Sequence, residues 1–341
     1  MVAFSLRGPF GLKARRIKAE RISGMARRRS VTGGATSSSL FSGGLILRLA
    51  RGILILLAVI SLTLAGVGAA LTYFVISRYE TQEAITPQSY LLNNFISLGF
   101  TDRVGGQHEG WLLLGLRGAP VIILSHGYDS NRSDLLFLGT ILRDNHYNVY
   151  LFNFHGPKAK EPYTNLGSRQ ASDLMSAIDT VTKQKSVNPH RIGLFGTSVG
   201  GYASLVAAEL DPKVKALVVE TTYTTPELMF DTQVDRLLGG STGIFQILTE
   251  SEFHLATSRS SSITMYDELP KLMGIPKLFI SGRDNPALAE MTEQIYTQAP
   301  QPKRLLVLEH SQAGLASEVE KKEYQNQVLN FFLQNLSLRA D

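Results

Sequence analysis

The sequence contains no cysteine, which excludes disulfides, thiolate metal sites and a cysteine nucleophile. Tryptophan occurs once, at Trp111, and no internal repeat is present. Acidic residues are scarce at the start of the chain: residues 1–51 hold eleven Lys or Arg against one acid, Glu20, a balance of +10. The net charge is +5, so the other 290 residues carry −5. The basic excess belongs to a tail without heptads or interleaved aromatics, and no nucleic-acid partner is expected.

Charge is missing altogether from residues 52–77, GILILLAVISLTLAGVGAALTYFVIS. As a helix these 26 residues would extend roughly 39 Å, more than the ~30 Å hydrocarbon core of a bilayer. Soluble helices rarely run so far without a polar face, so a membrane span and a lipid environment are expected here. Arg48 and Arg51 precede it, and Arg78, Glu80 and Glu83 follow. That asymmetry predicts an uncleaved signal anchor with its N-terminus in the cytoplasm and the rest exported. A cleaved signal peptide ending near VGAA and an Arg- and Ser-rich transit peptide are the alternatives. Ala65 and Ala69 have small-xxx-small spacing. The Ser/Gly-rich residues 30–44 are expected to be disordered, and residues 78–105 to act as a connector.

Of the 341 residues 44% are hydrophobic, with 16 Phe and 12 Tyr, enough for a substantial core. Beyond residue 105 short apolar runs alternate with amphipathic stretches. Strands are expected at 111–116, 121–125, 149–154, 192–196, 216–220, 277–282 and 305–309, the first two forming a hairpin across RGAP. Helical patterns cover Asp134–Arg143, Ser168–Lys185, Val199–Leu210 and Ser317–Leu333. Near-continuous apolar strands suit a mostly parallel sheet with helices on both faces, here with an antiparallel start. Residues 106–341 form one α/β domain in this reading, with residues 221–276 an insertion covering the site.

The chemistry centres on GLFGTSVGGYAS, residues 193–204. Ser198 follows a strand and opens a helix, a turn that raises a hydroxyl above the sheet and needs small neighbours, here Gly196 and Gly200. The helix N-terminus adds unpaired N–H groups and partial positive charge. A serine hydroxyl needs a base, and His310 lies after the last strand in LLVLEHSQAG. The base needs an orienting acid, and Asp284 follows the preceding strand in LFISGRDNP. Glu220, ending the ALVVE strand, is the alternative acid. The order Ser198, Asp284, His310 is that of a hydrolase with a nucleophile elbow. In LSHGYDSN, the backbone turns at His126 and Gly127, and the N–H groups of Tyr128 and Val199 are the expected oxyanion donors. His126 is expected to support that loop.

HGYDSNRSD, GTSVGGYAS, VVETTYTT, SGRDNP and the late His310 together resemble the α/β-hydrolase superfamily, over about residues 106–338. VVETTYTT is similar to the ENTFTS type of the Bem46-like branch. The resemblance implies an eight-stranded fold, a Ser-Asp-His triad, and neither metal nor cofactor. His155 falls where that family often has an Arg-Gly turn, and is expected to shape a loop near the site. His108, His146, His190 and His254 have no partner at metal-ligand spacing. The polar centre of the insertion, TSRSSSIT, disfavours a lid for bulky triglycerides.

The expected activity is hydrolysis of an ester or related acyl bond in a small-molecule or acylated substrate, through an acyl-enzyme on Ser198. A peptide, amide or acyl-protein thioester substrate is a rival within the same chemistry. A catalytically silent, membrane-tethered interaction domain is a rival of another class.

Overall fold

The computed structural model describes residues 39–77, 82–83, 85–154, 163–240, 243–257 and 263–338. The basic tail through residue 38, Arg78, Glu80, His155 and most of TSRSSSIT lie outside these described residues. By their contacts, the described residues divide into two units after Leu57.

Helix α1 (Ser39–Ile76) opens the described chain. It begins inside the Ser/Gly-rich stretch expected to be disordered, because the apolar run from Leu45 onward carries the helix back across SLFSGG. Its stretch Gly44–Ile76, 33 residues, is long and apolar enough to cross a membrane. Within the larger unit its last turns bury one face, Gly68, Thr72, Val75 and Ile76, at helical spacing of three and four.

The sheet has eight strands. They are β1 (Phe95–Ser97), β4 (Gly110–Leu113), β5 (Ala119–Ser125), β6 (Asn148–Phe152), β7 (Val187–Thr197), β8 (Val214–Glu220), β9 (Lys277–Gly282) and β10 (Lys303–Leu308). Two further strands, β2 (Phe100–Thr101) and β3 (Gln107–His108), form a separate hairpin. The order is β1-β4-β6-β5-β7-β8-β9-β10, antiparallel at β1–β4 and β4–β6 and parallel from β6 onward. The hairpin expected across RGAP is therefore corrected: β6 lies between β4 and β5 and pairs with both. Strand β1 comes from the segment expected to be only a connector.

Side chains alternate between the two faces, as strand geometry requires. Val121 and Ile123 of β5 join one apolar cluster with Leu217 and Val219 of β8. Ile122 and Leu124 join the other, with Ala216 and Val218. The first face is covered by α3 (Ser168–Val181), α4 (Val199–Leu210), α5 (Pro226–Leu238), α7 (Met265–Glu268) and α8 (Pro286–Gln298). The second is covered by α2 (Leu136–Asp144) and α9 (Glu318–Asn335). Helix α6 (Gly243–Thr257) packs on α5, with Phe253 stacked 4.5 Å from Phe230. Gly193 lets α9 approach the sheet: a Cβ there would stand 2.8 Å from the Phe332 ring and 2.9 Å from Leu336.

Because strands β5 to β10 run parallel, their C-terminal ends share one edge. Register pairs Ser125 with Gly196, Thr197 with Glu220, and Glu220 with Ile280. The loops beginning at residues 126, 198, 221, 283 and 309 all leave the sheet there.

Phe332 is wholly buried beneath the sheet. Replacing it with alanine should cost ~3–5 kcal/mol, read as a lowered denaturant midpoint at unchanged slope.

Candidate active site

Ser198 sits between β7 and α4 with φ 51° and ψ −115°, a conformation that is strained for any residue with a side chain. The strain is held by close packing. A Cβ on Gly200 would collide with the carbonyl oxygens of Ser125 and His126, and one on Gly196 with the carbonyl of Gly200. The Ser198 N–H donates to Glu220 O at 3.0 Å and its carbonyl accepts from Tyr202 at 3.0 Å, so both ends of the turn are tied. Its Oγ is buried, and among the described residues no hydrogen bond reaches it.

Ser198 lines a pocket of about 500 Å³ whose wall includes Gly127, Tyr128, Thr221, Met229 and Gln233. Asp129 (φ 54°) and Thr221 (φ 39°) line it too. Three of the non-glycine residues with positive φ thus surround one cavity, a concentration of backbone strain found at functional sites. Helix α5 of the insertion contributes Met229, Gln233 and Arg236 to the wall.

The loop after β5 passes close beside the serine: a Cβ on Gly127 would lie 3.4 Å from Ser198 Cβ. His126 uses both ring nitrogens to brace it. Nε2 accepts from Phe154 N–H at 3.2 Å, so Nδ1 carries the proton and donates to Gly127 O at 2.8 Å. Val199 is the first residue of α4, and its N–H has no acceptor within the helix. Tyr128 donates its hydroxyl to Val75 O at 2.8 Å, and Thr164 N–H donates to Ile76 O at 2.8 Å. Two of the last carbonyls of α1, which lack helical donors, are therefore satisfied from the loops of the larger unit, one of them by the candidate oxyanion loop.

The other candidates stand differently. Among the described residues, no hydrogen bond joins Ser198, Asp284 and His310. His310 Nδ1 pairs with Glu320 Oε1 at 2.9 Å, both side chains being partly exposed. Glu320 also accepts from the backbone and hydroxyl of Ser317 in the capping box of α9, and these bonds, with that of His310, hold its carboxyl below the usual range. Asp284 accepts from Ser311 N–H and Ser311 Oγ, both at 2.8 Å. Ser311, not His310, faces the pocket. The Asp284 carboxylate still lies beside the histidine: a Cβ on Gly314 would collide with Asp284 Oδ2 and stand 3.3 Å from His310 Cβ.

Glu220 is fully buried. Its Oε1 accepts from Gln312 N–H at 2.6 Å and its Oε2 from Tyr324 hydroxyl at 2.8 Å. It thereby ties the end of β8 to the histidine loop and to α9. Burial pushes its carboxyl up to about 7.

Residues that the sequence did not single out are Thr221, Ser311, Gln312, Glu320 and Tyr324. Thr221 was the most accessible, since it follows a strand directly; the others act through pairings that only the fold creates. A second group lies apart: Asp102, His108 and Asp173 converge with one ligand atom each within 4.8 Å of one another. The spacing expectation for His108 missed it because Asp173 arrives from α3.

Strand order, elbow and edge placement define an α/β-hydrolase. The chain belongs to the prolyl oligopeptidase family, which matches residues 141–338, more than half of its length. It is similar to uncharacterized protein YfhR of Escherichia coli O157:H7, 27% identical over 253 residues that cover 71% of this chain and 81% of that one. Among solved structures it resembles the Pyrococcus furiosus esterase Pf2001, with a TM-score of 0.60 and 18% identity over 76% of this chain and 98% of that one. It also resembles the dienelactone hydrolase of Anabaena variabilis, with a TM-score of 0.52 and 19% identity over 71% and 98%. At these identities the solved structures show the fold.

Glu220 sets a pH dependence. A carboxyl whose folded pKa lies above its unfolded value binds its proton more tightly when folded. The resulting stability is fully present below the ordinary value of 4.5 and is lost as pH rises through about 7. Wild-type melting temperature should therefore decline between pH 5 and 8, and Glu220→Gln should flatten part of that decline, by a few degrees. Superimposable pH curves for the two proteins would remove Glu220 from it.

Proposed function

We propose that this chain is a membrane-anchored serine hydrolase that cleaves an ester or related acyl bond. The observation that carries the reading is Ser198: a strained elbow residue, its buried hydroxyl without a partner, at the wall of a pocket. Such a hydroxyl is not consumed in the protein's own hydrogen bonds, and its residue borders the pocket from which a substrate would approach.

In this mechanism His310 takes the Ser198 proton as Oγ attacks the carbonyl carbon. The tetrahedral oxyanion is held by the N–H groups of Tyr128 and Val199. His310 then gives its proton to the leaving group, and water releases the acyl-enzyme by the reverse sequence. For this, the 309–314 loop must turn so that His310 leaves Glu320 and takes the place now held by Ser311. Asp284, released from Ser311, would then accept the imidazole N–H. Asp284 is preferred to Glu320, whose carboxylate is committed to capping α9, and to Glu220, which is fully buried and tied to Tyr324 of α9. Both bonds to Asp284, by contrast, come from the residue next to His310. Glu320 remains the competitor by its direct bond to His310.

An ester is favoured by the resemblance to Pf2001, and a peptide bond by the family match. The strand-end VVETTYTT supports placement near the Bem46-like branch. Anchoring is supported by α1, whose stretch Gly44–Ile76 is long enough to span a bilayer. The tail's positive charge supports a cytoplasmic N-terminus and an exported hydrolase unit.

On a p-nitrophenyl ester, Ser198→Ala and His310→Ala should lose at least about a thousandfold in kcat, and Asp284→Asn up to about ten-thousandfold, without loss of folding. Glu320→Gln and Glu220→Gln should stay within tenfold. A dead Glu320→Gln beside an active Asp284→Asn would transfer the acid role to Glu320. A fluorophosphonate probe should label wild type and not Ser198→Ala.

Protease added outside intact spheroplasts should digest the hydrolase unit. Full protection would reverse the topology, and a mature N-terminus near residue 70 would mean a cleaved signal.

A further inference from the structure

We infer that Asp102, His108 and Asp173 form a structural site for a divalent transition-metal ion, with zinc the best fit. The site lies away from the Ser198 pocket and nothing in the hydrolase reading requires it.

Three segments supply it. Asp102 opens the turn between β2 and β3, His108 ends β3, and Asp173 projects from α3. His108 and Asp173 are buried, at 4% and 3% exposure. Two of the ligands are already aimed by outer partners, as metal ligands are. His108 Nδ1 lies 3.2 Å from Asn153 O, so this nitrogen carries the proton and Nε2 presents its lone pair. The ring is held flat against Phe100, 4.5 Å away and nearly parallel. Asp102 Oδ1 accepts from Gly106 N–H at 2.6 Å and Val104 N–H at 3.0 Å, which turns Oδ2 toward His108 Nε2 at 3.1 Å. That last pair sets a lone pair against an acceptor, an arrangement relieved by a second proton on the ring or by a cation between the two atoms.

Asp173 bears on this: burial pushes its own carboxyl up to about 7, and among the described residues no hydrogen bond reaches it. A cation would serve all three groups where a ring proton serves Asp102 alone. A dication neutralises both carboxylates and bonds all three atoms. One imidazole and two carboxylates are ligands that zinc accepts, with a water in the fourth position. The three ligand atoms lie within 4.8 Å of one another, against roughly 3.4 Å along the edge of a tetrahedral zinc shell with ~2.0–2.1 Å bonds. Asp102 Oδ2 and His108 Nε2 already stand at about that spacing, 3.1 Å apart, so binding would chiefly draw Asp173 toward them.

The ion would staple the β2–β3 hairpin to α3 and to the chain at Asn153. Asn153 Oδ1 accepts from Arg132 N–H at 2.9 Å, and its neighbour Phe154 bonds His126. The staple thus bears on the loop before the candidate oxyanion donors by two short hydrogen-bonded steps.

The test uses the full-length chain purified in detergent, stripped with a chelator, dialysed against micromolar zinc and analysed for metal by mass spectrometry. Wild type should retain about one zinc per chain, and its melting temperature should rise on zinc addition and fall again with chelator. Asp173→Asn and His108→Gln, each checked for folding by circular dichroism, should retain less than a fifth as much and lose the thermal shift. Should one variant fail to fold, the other is read alone, with Asp102→Asn as the third. Wild type retaining under a tenth of an equivalent, or a folded variant retaining as much as wild type, overturns the site.

Discussion

Two backbone segments at the C-terminal edge of the sheet approach each other so closely that Gly200 has no room for a side chain. The turn after β7 presents Gly196 and Gly200, and the end of β5 presents the carbonyls of Ser125 and His126, against which a Cβ on Gly200 would collide. The rest of the site depends on this contact. It fixes the entry of α4, and through it the positive φ of Ser198. It also sets how near the 126–131 loop can lie to the serine. Strain of this kind costs ~1–3 kcal/mol at a single residue, and a well-packed β7–α4 pair can offset it because nearly every residue of α4 is buried.

A second dependence runs through Glu220. One buried carboxylate receives a backbone donor from the histidine loop and a phenol from α9, while its own carbonyl receives the N–H of Ser198. The candidate nucleophile and the candidate base loop are thus referred to one residue at the end of β8. The price of that arrangement is a carboxyl held in a dry interior, and the shift toward about 7 expresses it. His310 itself is fixed by a different force, the pull of the α9 cap on a nearby imidazole.

The parts of the fold legible in sequence were those written in local pattern. The apolar runs from β5 to β10 and the helices α2, α3, α4 and α9 lie where periodicity put them, within a few residues. Strand β9 and helix α4 agree with the expected bounds to the residue. Pairing was less legible, because strand periodicity says which side chains share a face and not which strand lies alongside; β6 entering between β4 and β5 illustrates this. Strand β1 is only three residues long and carries little pattern. At the site, Ser198 announced itself by its glycines. The acid reads as Asp284 with Glu220 the alternative, whereas Glu320 carries no such signal, because it meets His310 only through the cap of α9. The Asp102–His108–Asp173 group was invisible because its members are brought together by α3 crossing a hairpin, not by spacing. A tight approach of α1 that carries no such signal is at Gly68, where a Cβ would stand 3.0 Å from Glu252 of α6.

The end of α1 belongs to the hydrolase unit as much as any strand does. Val75 and Ile76 lie in the core cluster beneath α3 and α4, and their carbonyls are capped by Tyr128 and by Thr164. A hydrolase freed by cutting just after residue 77 would therefore not be the same object without its leash. It would carry an open apolar slot where the helix had lain, and a tyrosine beside the pocket with its hydroxyl turned to water. The helix that is long enough to cross a membrane thus also caps, through Tyr128, the loop beside the Ser198 pocket.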